Sequence, residues 1–269
     1  FANSIYTVKG GIGKDVWVGT ERGIVRLTYS EGEFQYRYCE SSLSKVYDII
    51  QTDDKTIMAA ASAGVFHIDV NSGNLACIRP GFARAVYDMG DGRFLLGLST
   101  GLFMYDCAYP QQTSLIKDVD VYNIYRTADG RWWVGSIDSG LYRFSEDFSA
   151  CAYFRSGGKE GLPDNGIRAF IEDFSGNLWI GTQNGACKYY TRAELFDFYA
   201  RTIDDDTDTD KLSVHSVEKT ADQSVPPQRY LRLHRRRADR ISTDCHDQNQ
   251  VLFACNNPSS KNRFHNLLY

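Results

Sequence analysis

The first 200 residues repeat one short pattern, and this repetition constrains the fold more than any other feature of the chain. The clearest copy, at residues 161–190, reads GLPDNGIRAFIEDFSGNLWIGTQNGACKYY. Its WIGTQNG segment aligns with four earlier segments, and the equivalent positions are 19, 60, 97, 135 and 181, with steps of 41, 37, 38 and 46 residues. A period of about 40 residues with several short strands per unit is typical of a β-propeller, in which each repeat is one four-stranded blade.

The clearest copy reads as strands separated by tight turns. Residues 167–173 alternate between apolar and polar side chains, and residues 178–182 are rich in aromatic and β-branched types, so both segments are predicted strands. Asp173 and Gly176 suit the turn between them, and Asn184-Gly185 predicts a hairpin turn. Gly181 is a weak choice within a strand, and the recurrence of glycine at this position predicts close packing between neighbouring sheets.

This copy resembles the two-component regulator propeller repeat, whose usual form runs LP-x-N-x-V-x-x-I-x-E-D-x-x-G-x-L-W-I-G-T-x-x-G-L-x-x-Y. The positions that fall on this form are Leu162, Pro163, Asn165, Ile167, Ile171, Glu172, Asp173, Gly176, Leu178, Trp179, Ile180, Gly181, Thr182, Gly185 and Tyr189. The four earlier copies lack the LP-x-N lead-in, and one has Ala60 where the glycine belongs. The resemblance covers about residues 1–200.

The repeats and the resemblance together predict an all-β fold, a β-propeller of four-stranded blades with five recognisable repeats. The predicted blades are residues 1–41, 42–80, 81–117, 118–160 and 161–200. Family members usually have seven blades, so we expect an incomplete seven-bladed propeller. Residues 201–269 form an atypical tail: LSVHSV at 212–217 stands where a sixth blade would start, and the pattern then fails. We interpret the rest of the tail as poorly ordered or frame-shifted sequence.

Composition excludes several functional classes. The net charge of -4 gives no global attraction to nucleic acid. No window of about 18 apolar residues is present, so we expect no membrane span in this chain. The repeat region holds one histidine, His67, and no nucleophile or metal-ligand pattern accompanies it, so we predict no catalytic residues, no metal and no cofactor. Cys39, Cys77 and Cys151 occupy similar late positions in their repeats, and we interpret them as small buried hydrophobic residues.

A ligand site is predicted where the first strands of the blades begin. In propellers the residues just before and at the start of each innermost strand surround the mouth of the central channel. The residues at these positions are Lys45, Tyr47, Arg84, Tyr122, Asn123, Asn165 and Arg168. Tyrosine rings with Arg and Asn hydrogen-bonding groups would suit a sugar, although each residue alone is also an ordinary solvated rim residue. Trp17, Trp133 and Trp179 are predicted to pack between blades.

The resemblance implies the ligand-sensing region of a hybrid two-component system, in the periplasm as part of an inner-membrane sensor protein. Its ligand would be an oligosaccharide, its signal would pass to a kinase outside this chain, and the full-length sensor is a candidate homodimer. A second hypothesis is a protein interaction scaffold without a small-molecule site. A third, a propeller lyase or hydrolase, is disfavoured by the shortage of histidine. The sequence does not identify the glycan.

Overall fold

The described part of the chain consists of β-strands, turns and irregular segments, without a helix. A computed structural model describes residues 4–40, 43–53, 55–109, 112–157, 162–199, 213–221, 229–236 and 250–254. At residues 38–40 and from 198 onward this description is limited to the backbone. The described strands form five four-stranded antiparallel sheets and one three-stranded sheet. These five sheets confirm the prediction of an all-β chain built from four-stranded blades.

The chain divides within one strand into two compact units, residues 1–124 and 125–269. The first unit holds three complete sheets, and their strands are hydrogen-bonded in chain order. The strands of sheet 1 are β1 (Ile5–Gly10), β2 (Asp15–Thr20), β3 (Gly23–Ser30) and β4 (Glu33–Glu40). Those of sheet 2 are β5 (Val46–Gln51), β6 (Thr56–Ala61), β7 (Gly64–Asp69) and β8 (Leu75–Pro80). Those of sheet 3 are β9 (Ala83–Asp88), β10 (Arg93–Leu98), β11 (Gly101–Asp106) and β12 (Gln112–Lys117).

Sheet 4 begins with the strand in which the two units meet, and sheets 5 and 6 belong to the second unit. The strands of sheet 4 are β13 (Val121–Arg126), β14 (Trp132–Ser136), β15 (Leu141–Phe144) and β16 (Cys151–Phe154). Those of sheet 5 are β17 (Ile167–Glu172), β18 (Leu178–Thr182), β19 (Gly185–Tyr190) and β20 (Leu195–Tyr199). Those of sheet 6 are β21 (Ser213–Ala221), β22 (Arg229–Arg236) and β23 (Gln250–Ala254).

Sheet 6 falls in the part of the sequence where the repeat pattern fails. Its strands are hydrogen-bonded in the order β21-β22-β23, and β21 lies alongside β17 and β18 of sheet 5. The first of these strands covers most of the LSVHSV segment that the sequence offered as the start of a sixth blade. Residues 201–212, 222–228, 237–249 and 255–269 lie outside the described residues. The prediction of poorly ordered or frame-shifted sequence therefore stays a prediction.

The threonine of the WIGT segment closes the turn between the second and third strands of a sheet. Thr182 Oγ1 donates to the carbonyl of Gly185 at 2.7 Å and accepts from the Asn184 amide at 3.3 Å. Thr20 Oγ1 makes the same bond to the Gly23 carbonyl at 3.0 Å. Since these hydroxyls are buried, the bond satisfies groups that would otherwise be costly inside the sheet. The repeated threonine is thus explained by turn structure.

In three pairs of successive sheets, namely 1 and 2, 2 and 3, and 4 and 5, the forward face of one sheet packs against the rear face of the next sheet in the chain. The forward face is the side that carries Trp17 and its equivalents, and the rear face is the opposite side. Trp17 and Ile24 of sheet 1 share one buried cluster with Val46 and Ile49 of sheet 2. Met58, Ala60 and Val65 of sheet 2 meet sheet 3 in the same way, and Trp133 and Leu141 of sheet 4 meet sheet 5. Trp17 and Trp133 therefore pack between sheets, as predicted.

The glycine of the WIGT segment lies where a neighbouring sheet approaches closely. A Cβ atom on Gly19 would lie 2.6 Å from the carbonyl oxygen of Val46, and one on Gly97 would lie 2.7 Å from Cγ1 of Val121. Both distances are shorter than real Cβ contacts. The predicted reason for the recurring glycine is confirmed at these two positions.

The cysteine prediction is wrong for two of the three residues. Cys77 in β8 and Cys151 in β16 are exposed free thiols. Both lie on the fourth strand of a sheet, where one edge has no neighbouring strand and side chains are less covered. The side chain of Cys39 lies outside the described residues. Among the cysteines whose side chains the structure describes, Cys187, in the third strand of sheet 5, is buried, and burial raises the pKa of its thiol.

Candidate functional site

The first strand of a sheet carries a β-bulge near its start. The hydrogen-bonding register to the second strand shifts between Ile5 and Thr7, Val46 and Asp48, Ala83 and Ala85, and Ile167 and Ala169. A bulge leaves one extra residue without a cross-strand partner and redirects its side chain. These extra residues are Tyr6, Tyr47, Arg84 and Arg168. Tyr122, like them, is the second residue of its strand. Four of the seven predicted site residues therefore share one structural position.

Within the first unit these side chains contact each other in sequence order. The rings of Tyr6 and Tyr47 lie 4.9 Å apart between centroids, with an angle of 50° between their planes. The guanidinium carbon of Arg84 lies 5.7 Å from the ring centroid of Tyr47 and 6.0 Å from that of Tyr122. We call Tyr6, Tyr47, Arg84 and Tyr122 the bulge row. It brings together Tyr47, Arg84 and Tyr122 of the predicted site.

The ring of Phe82 contacts both the guanidinium group of Arg84 and the ring of Tyr47. Its ring centroid lies 4.3 Å from the guanidinium carbon and 5.1 Å from the ring centroid of Tyr47. A guanidinium within about 6 Å of an aromatic centroid is attracted by the negative face of the ring. Because Phe82, Tyr47 and Tyr122 all meet this condition, the Arg84 side chain is held in one orientation among three rings.

Asp120 neutralises the charge of Arg84. Nε and Nη2 of Arg84 lie 3.3 and 3.4 Å from the two carboxylate oxygens of Asp120, so the pair is aligned in the two-point manner that suits these groups. These distances are longer than the usual 2.9 Å for such a bond. The Arg84 side chain keeps 22% of its surface exposed and that of Asp120 keeps 30%. A planar, neutral pair with free donors and acceptors thus lies at the surface of the row.

Lys45 and Asn123 lie beside the row and make different contacts. The backbone of Lys45 donates to the carbonyl of Glu21 at 3.2 Å and accepts from the amide of Ser62 at 3.1 Å, while its side chain is exposed. Its φ of 42° falls in the left-handed region, which marks a sharp turn before β5. Oδ1 of Asn123 is buried without a hydrogen-bond partner among the described residues. Asn123 follows Tyr122 in the strand and so faces the other side.

Asp48, which follows Tyr47 in β5, is a largely buried carboxylate with 15% of its side-chain surface exposed, and it was not predicted from the sequence. Its carboxylate lies 3.0 Å from Nζ of Lys9 and accepts from the backbone amide of Val86 at 3.2 Å. Burial raises the pKa of this carboxyl above its usual value, while the charge of Lys9 opposes the shift. These bonds tie β5 to β1 and β9, so Asp48 fixes the spacing of the strands that carry the row.

Two predicted site residues belong to the second unit. Oδ1 of Asn165 accepts from the backbone amide of Ser156 at 2.8 Å, and the Asn165 carbonyl accepts from the amide of Gly140 at 2.9 Å. Arg168 donates from Nη2 to Oε1 of Gln183 at 2.9 Å. Asn165 thus holds a loop together, whereas Arg168 lies on the bulge of β17. The prediction that all seven residues surround one opening stays a prediction.

The sequence prediction did not include Tyr6, Phe82 or Asp120. Tyr6 stands in β1 where Tyr47 stands in β5, so aligning the repeats on their first strands would have found it. Phe82 and Asp120 precede the first strands of sheets 3 and 4 by one residue. A search over the three residues around each bulge would have included both.

The row has the chemistry of a binding surface. It offers aromatic faces for apolar contact and the Arg84–Asp120 pair for directional hydrogen bonds. The described residues contain no group of three or more His, Cys, Asp or Glu side chains that could hold a metal ion. They also form no helix that is long and apolar enough to cross a membrane.

One repeat matches a known family model. Residues 161–184 match the model described as two component regulator propeller, so the resemblance noted from the sequence is confirmed for this repeat. The comparison with curated protein sequences finds no match.

Solved structures resemble the whole described fold. The extracellular domain described as that of the hybrid two component system BT3049 from B. thetaiotaomicron is 24% identical with a TM-score of 0.66, over 85% of this chain and 32% of that one. The corresponding domain of BT4673 from the same organism is 17% identical with a TM-score of 0.67, over 96% and 34%. YCF48 bound to D1 peptide is 13% identical with a TM-score of 0.55, over 90% and 79%. At these identities the likeness shows the fold, a β-propeller, and the chain spans about a third of the length of the first two structures.

Proposed function

We propose that this chain, which carries a two component regulator propeller repeat, is the ligand-sensing propeller region of a hybrid two-component sensor. The family match and the likeness to extracellular domains described as parts of such systems support this proposal. The sensor would face the periplasm from the inner membrane, and any kinase activity would lie in domains outside this chain. A homodimer of the full-length sensor would be consistent with this role.

We further propose that the bulge row binds an oligosaccharide. The single observation that carries this proposal is the contact of Arg84 with Tyr47 and Tyr122, each at the second residue of the first strand of its sheet. Sugar rings have apolar faces that pack on aromatic rings and hydroxyls that need planar donors and acceptors at their edges. The row supplies the first through its tyrosines and the second through Arg84 and Asp120. Each sheet adds one side chain, so the surface suits a ligand that is longer than one ring.

A screen of neutral and acidic oligosaccharides by thermal shift tests the proposal. A ligand that binds only the folded chain raises its melting temperature by an amount that grows with the ratio of ligand concentration to Kd, so one class of glycan should raise it selectively. Isothermal titration of the active glycan should then show at least about tenfold weaker binding for Arg84→Ala and for Tyr47→Ala. Arg192→Ala and Tyr109→Ala, at exposed positions in the connections between the third and fourth strands of their sheets, are matched controls that should bind as the parent does.

A protein interaction scaffold is the second candidate. The observation in its favour is that arginine and tyrosine, the types in the row, are enriched among the residues that dominate protein interfaces. YCF48, which shares the fold, is described as bound to a peptide. If no glycan shifts the melting temperature and an extended peptide library gives binders that Arg84→Ala abolishes, the scaffold function replaces the sensor function.

A further inference from the structure

A cation lies over the tryptophan in sheets 1, 4 and 5, and it comes from the same place in each sheet. In the third strand, directly opposite Trp17, Trp133 and Trp179, stand Arg26, Arg143 and Lys188. Their charged groups lie 5.5, 5.9 and 5.2 Å from the respective ring centroids. A cation that is partly removed from water needs a counter-ion nearby. The three sheets differ in the carboxylate that meets this need.

In sheets 1 and 5 the counter-ion is a buried aspartate of the same sheet. A carboxylate oxygen of Asp15 lies 2.5 Å from Nη2 of Arg26, and the aspartate side chain is 9% exposed. A carboxylate oxygen of Asp173 lies 2.9 Å from Nζ of Lys188, and this aspartate side chain is 1% exposed. Both pairs are short and shielded from water, so neither leaves room for another anion.

Sheet 4 has a second arginine where sheet 1 has its aspartate. Asp15 stands two residues before the tryptophan of sheet 1, and Arg131 stands two residues before the second tryptophan of sheet 4. The counter-ion of Arg143 is instead Glu194, which comes from the turn between β19 and β20 of the next sheet. Oε1 of Glu194 lies 3.2 Å from Nη1 of Arg131 and 3.5 Å from Nη1 of Arg143. Two guanidinium groups thus converge on one carboxylate oxygen.

The guanidinium of Arg143 is held in one place by aromatic side chains. Its central carbon lies 5.9, 5.7 and 5.7 Å from the ring centroids of Trp133, Phe154 and Tyr189. Nη1 of Arg143 donates to the hydroxyl oxygen of Tyr189, which leaves the hydroxyl proton to be donated elsewhere. Burial raises the pKa of Tyr189, so the hydroxyl keeps this proton at neutral pH. The cationic side of the contact is therefore preorganised.

Glu194 is held loosely by comparison. Its side chain is 56% exposed, whereas those of Arg131 and Arg143 are 31% and 20% exposed. Nη1 of Arg131 is buried without a hydrogen-bond partner among the described residues, so its contact with Glu194 is an ion pair that lacks hydrogen-bond alignment. Exposed ion pairs of this kind contribute little to stability. An anion from solution can therefore replace the Glu194 carboxylate at small cost.

We propose that Arg131, Arg143 and Tyr189 form a binding site for the carboxylate of a small acidic ligand. In the free chain the Glu194 carboxylate occupies this site. The planar guanidinium fork matches the two oxygens of a carboxylate, so a ligand carboxylate can make the aligned bonds that Glu194 does not make. Because Glu194 is tethered beside the arginines, it competes with any ligand at a high effective concentration. This inference depends neither on the bulge row nor on the proposed sensor function.

Removal of the competing carboxylate tests the proposal. In titration calorimetry of the full chain, Glu194→Gln should bind succinate at least about tenfold more tightly than the parent, because the tethered competitor is gone. Succinate should also raise the melting temperature of this variant more than sodium chloride does at the same ionic strength. Glu146→Gln is the matched control, since Glu146 is an exposed glutamate of sheet 4 that pairs with Arg126 at 2.5 Å. It should bind succinate no better than the parent does.

A second substitution locates the site. Arg131→Gln added to Glu194→Gln should remove the gain in succinate affinity, because one of the two convergent arginines is lost. Arg131→Lys in the same background keeps the charge but lacks the planar fork, so it should give an intermediate affinity. Circular dichroism establishes that each variant folds, and Arg131→Lys serves as the test if Arg131→Gln does not fold.

Three results would overturn the proposal. One is equal succinate affinity of the folded Glu194→Gln variant and the parent. Another is a gain in affinity that persists when Arg131 is also replaced, because the ligand would then lie elsewhere. The third is tighter binding of inorganic phosphate than of succinate by Glu194→Gln, which would contradict the assignment of a carboxylate.

Discussion

The indole nitrogen of Trp17 in sheet 1 donates a hydrogen bond to Oε1 of Gln51 in sheet 2 at 2.8 Å. Trp17 is fully buried, so its N–H has no access to water. Gln51→Ala should lower the free energy of unfolding by about 1–3 kcal/mol, because it leaves a buried donor unsatisfied. Urea denaturation followed by tryptophan fluorescence measures this change. Gln35→Ala, at an exposed position of β4, is the control and should change stability by less than about 0.5 kcal/mol.

Gly97 in β10 has no room for a methyl group because Val121 lies against it. A Cβ would lie 2.7 Å from Cγ1 of Val121 and 3.2 Å from Cβ of Ala85. Gly97→Ala should therefore destabilise the fold by about 1–3 kcal/mol, the usual effect of overpacking. Adding Val121→Ala should recover part of that loss, since it removes the clashing methyl group. Thermal unfolding of the single and double variants gives the coupling.

Gly19 provides the contrasting case. A Cβ there would lie 2.6 Å from the backbone oxygen of Val46, which no side-chain truncation removes. Val46→Ala should therefore fail to rescue Gly19→Ala. Equal rescue at both positions would contradict the distinction between side-chain and backbone crowding.

The buried carboxylate of Asp173 makes the stability of sheet 5 depend on pH. It accepts from the indole nitrogen of Trp179 at 3.2 Å and lies 2.9 Å from Nζ of Lys188. Burial alone would raise its pKa, but the bonds from Lys188 and from the backbone of the turn outweigh burial and hold the pKa below its ordinary value of 3.8. The charged form therefore stabilises the fold above that pH, and the stabilisation is lost as the pH falls through the folded-state pKa.

Asp173→Asn tests this dependence. At neutral pH the variant should be less stable by about 3 kcal/mol, because the half-buried Lys188 loses its counter-ion. Below pH 3.8 the difference between the variant and the parent should shrink, as the parent carboxylate also becomes neutral. Denaturant unfolding at several pH values measures both effects. The exposed Asp138→Asn should show neither, and a constant difference across the acid range would mean that the charge of Asp173 is unimportant.

The fold could be predicted because the repeat encodes it locally. The spacing of Gly19, Gly97 and Gly181 indicated the length of the repeat. The tryptophans indicated which face of a sheet packs against the next sheet. The position of the turn between β18 and β19 was predicted less exactly. Gly185 pairs with Thr182 as the first residue of β19, so the turn itself consists of residues 183–184. The sequence favoured Asn184-Gly185 because glycine with positive φ usually lies at the turn centre.

The site was harder to predict because the position of a β-bulge depends on the pairing register between two strands. Nothing in β9 alone shows that Arg84 has no partner in β10, so the sequence suggested only a region at the strand start. It therefore selected both Tyr122 and Asn123, although neighbouring strand residues face opposite sides. The ion pair of Asp48 could not be predicted either, because its partner Lys9 belongs to another repeat. Side-chain contacts between repeats depend on how neighbouring sheets pack, and the sequence of one repeat does not specify that packing.

The neutral Arg84–Asp120 pair predicts which glycans bind, if the bulge row is the site. Because Asp120 compensates the guanidinium charge, neutral oligosaccharides should bind the parent more tightly than uronate-containing ones of the same length. Asp120→Ala leaves the guanidinium uncompensated, so it should weaken neutral ligands and improve acidic ones. Titration calorimetry at low and high salt measures both changes, and salt should weaken only the acidic ligands. Tighter binding of acidic glycans by the parent would refute this charge argument while leaving the location of the site intact.

The proposed sensor function depends most on whether the ligand lies along the bulge row. Hydrogen–deuterium exchange of the full chain, with and without the glycan that raises its melting temperature, tests that claim directly. If the ligand lies along the bulge row, exchange should slow in the first unit at residues 4–8, 44–48, 82–86 and 119–123, and should change little in the outer strands β4, β8 and β12. Protection confined to those outer strands, with the starts of the first strands unchanged, would contradict it.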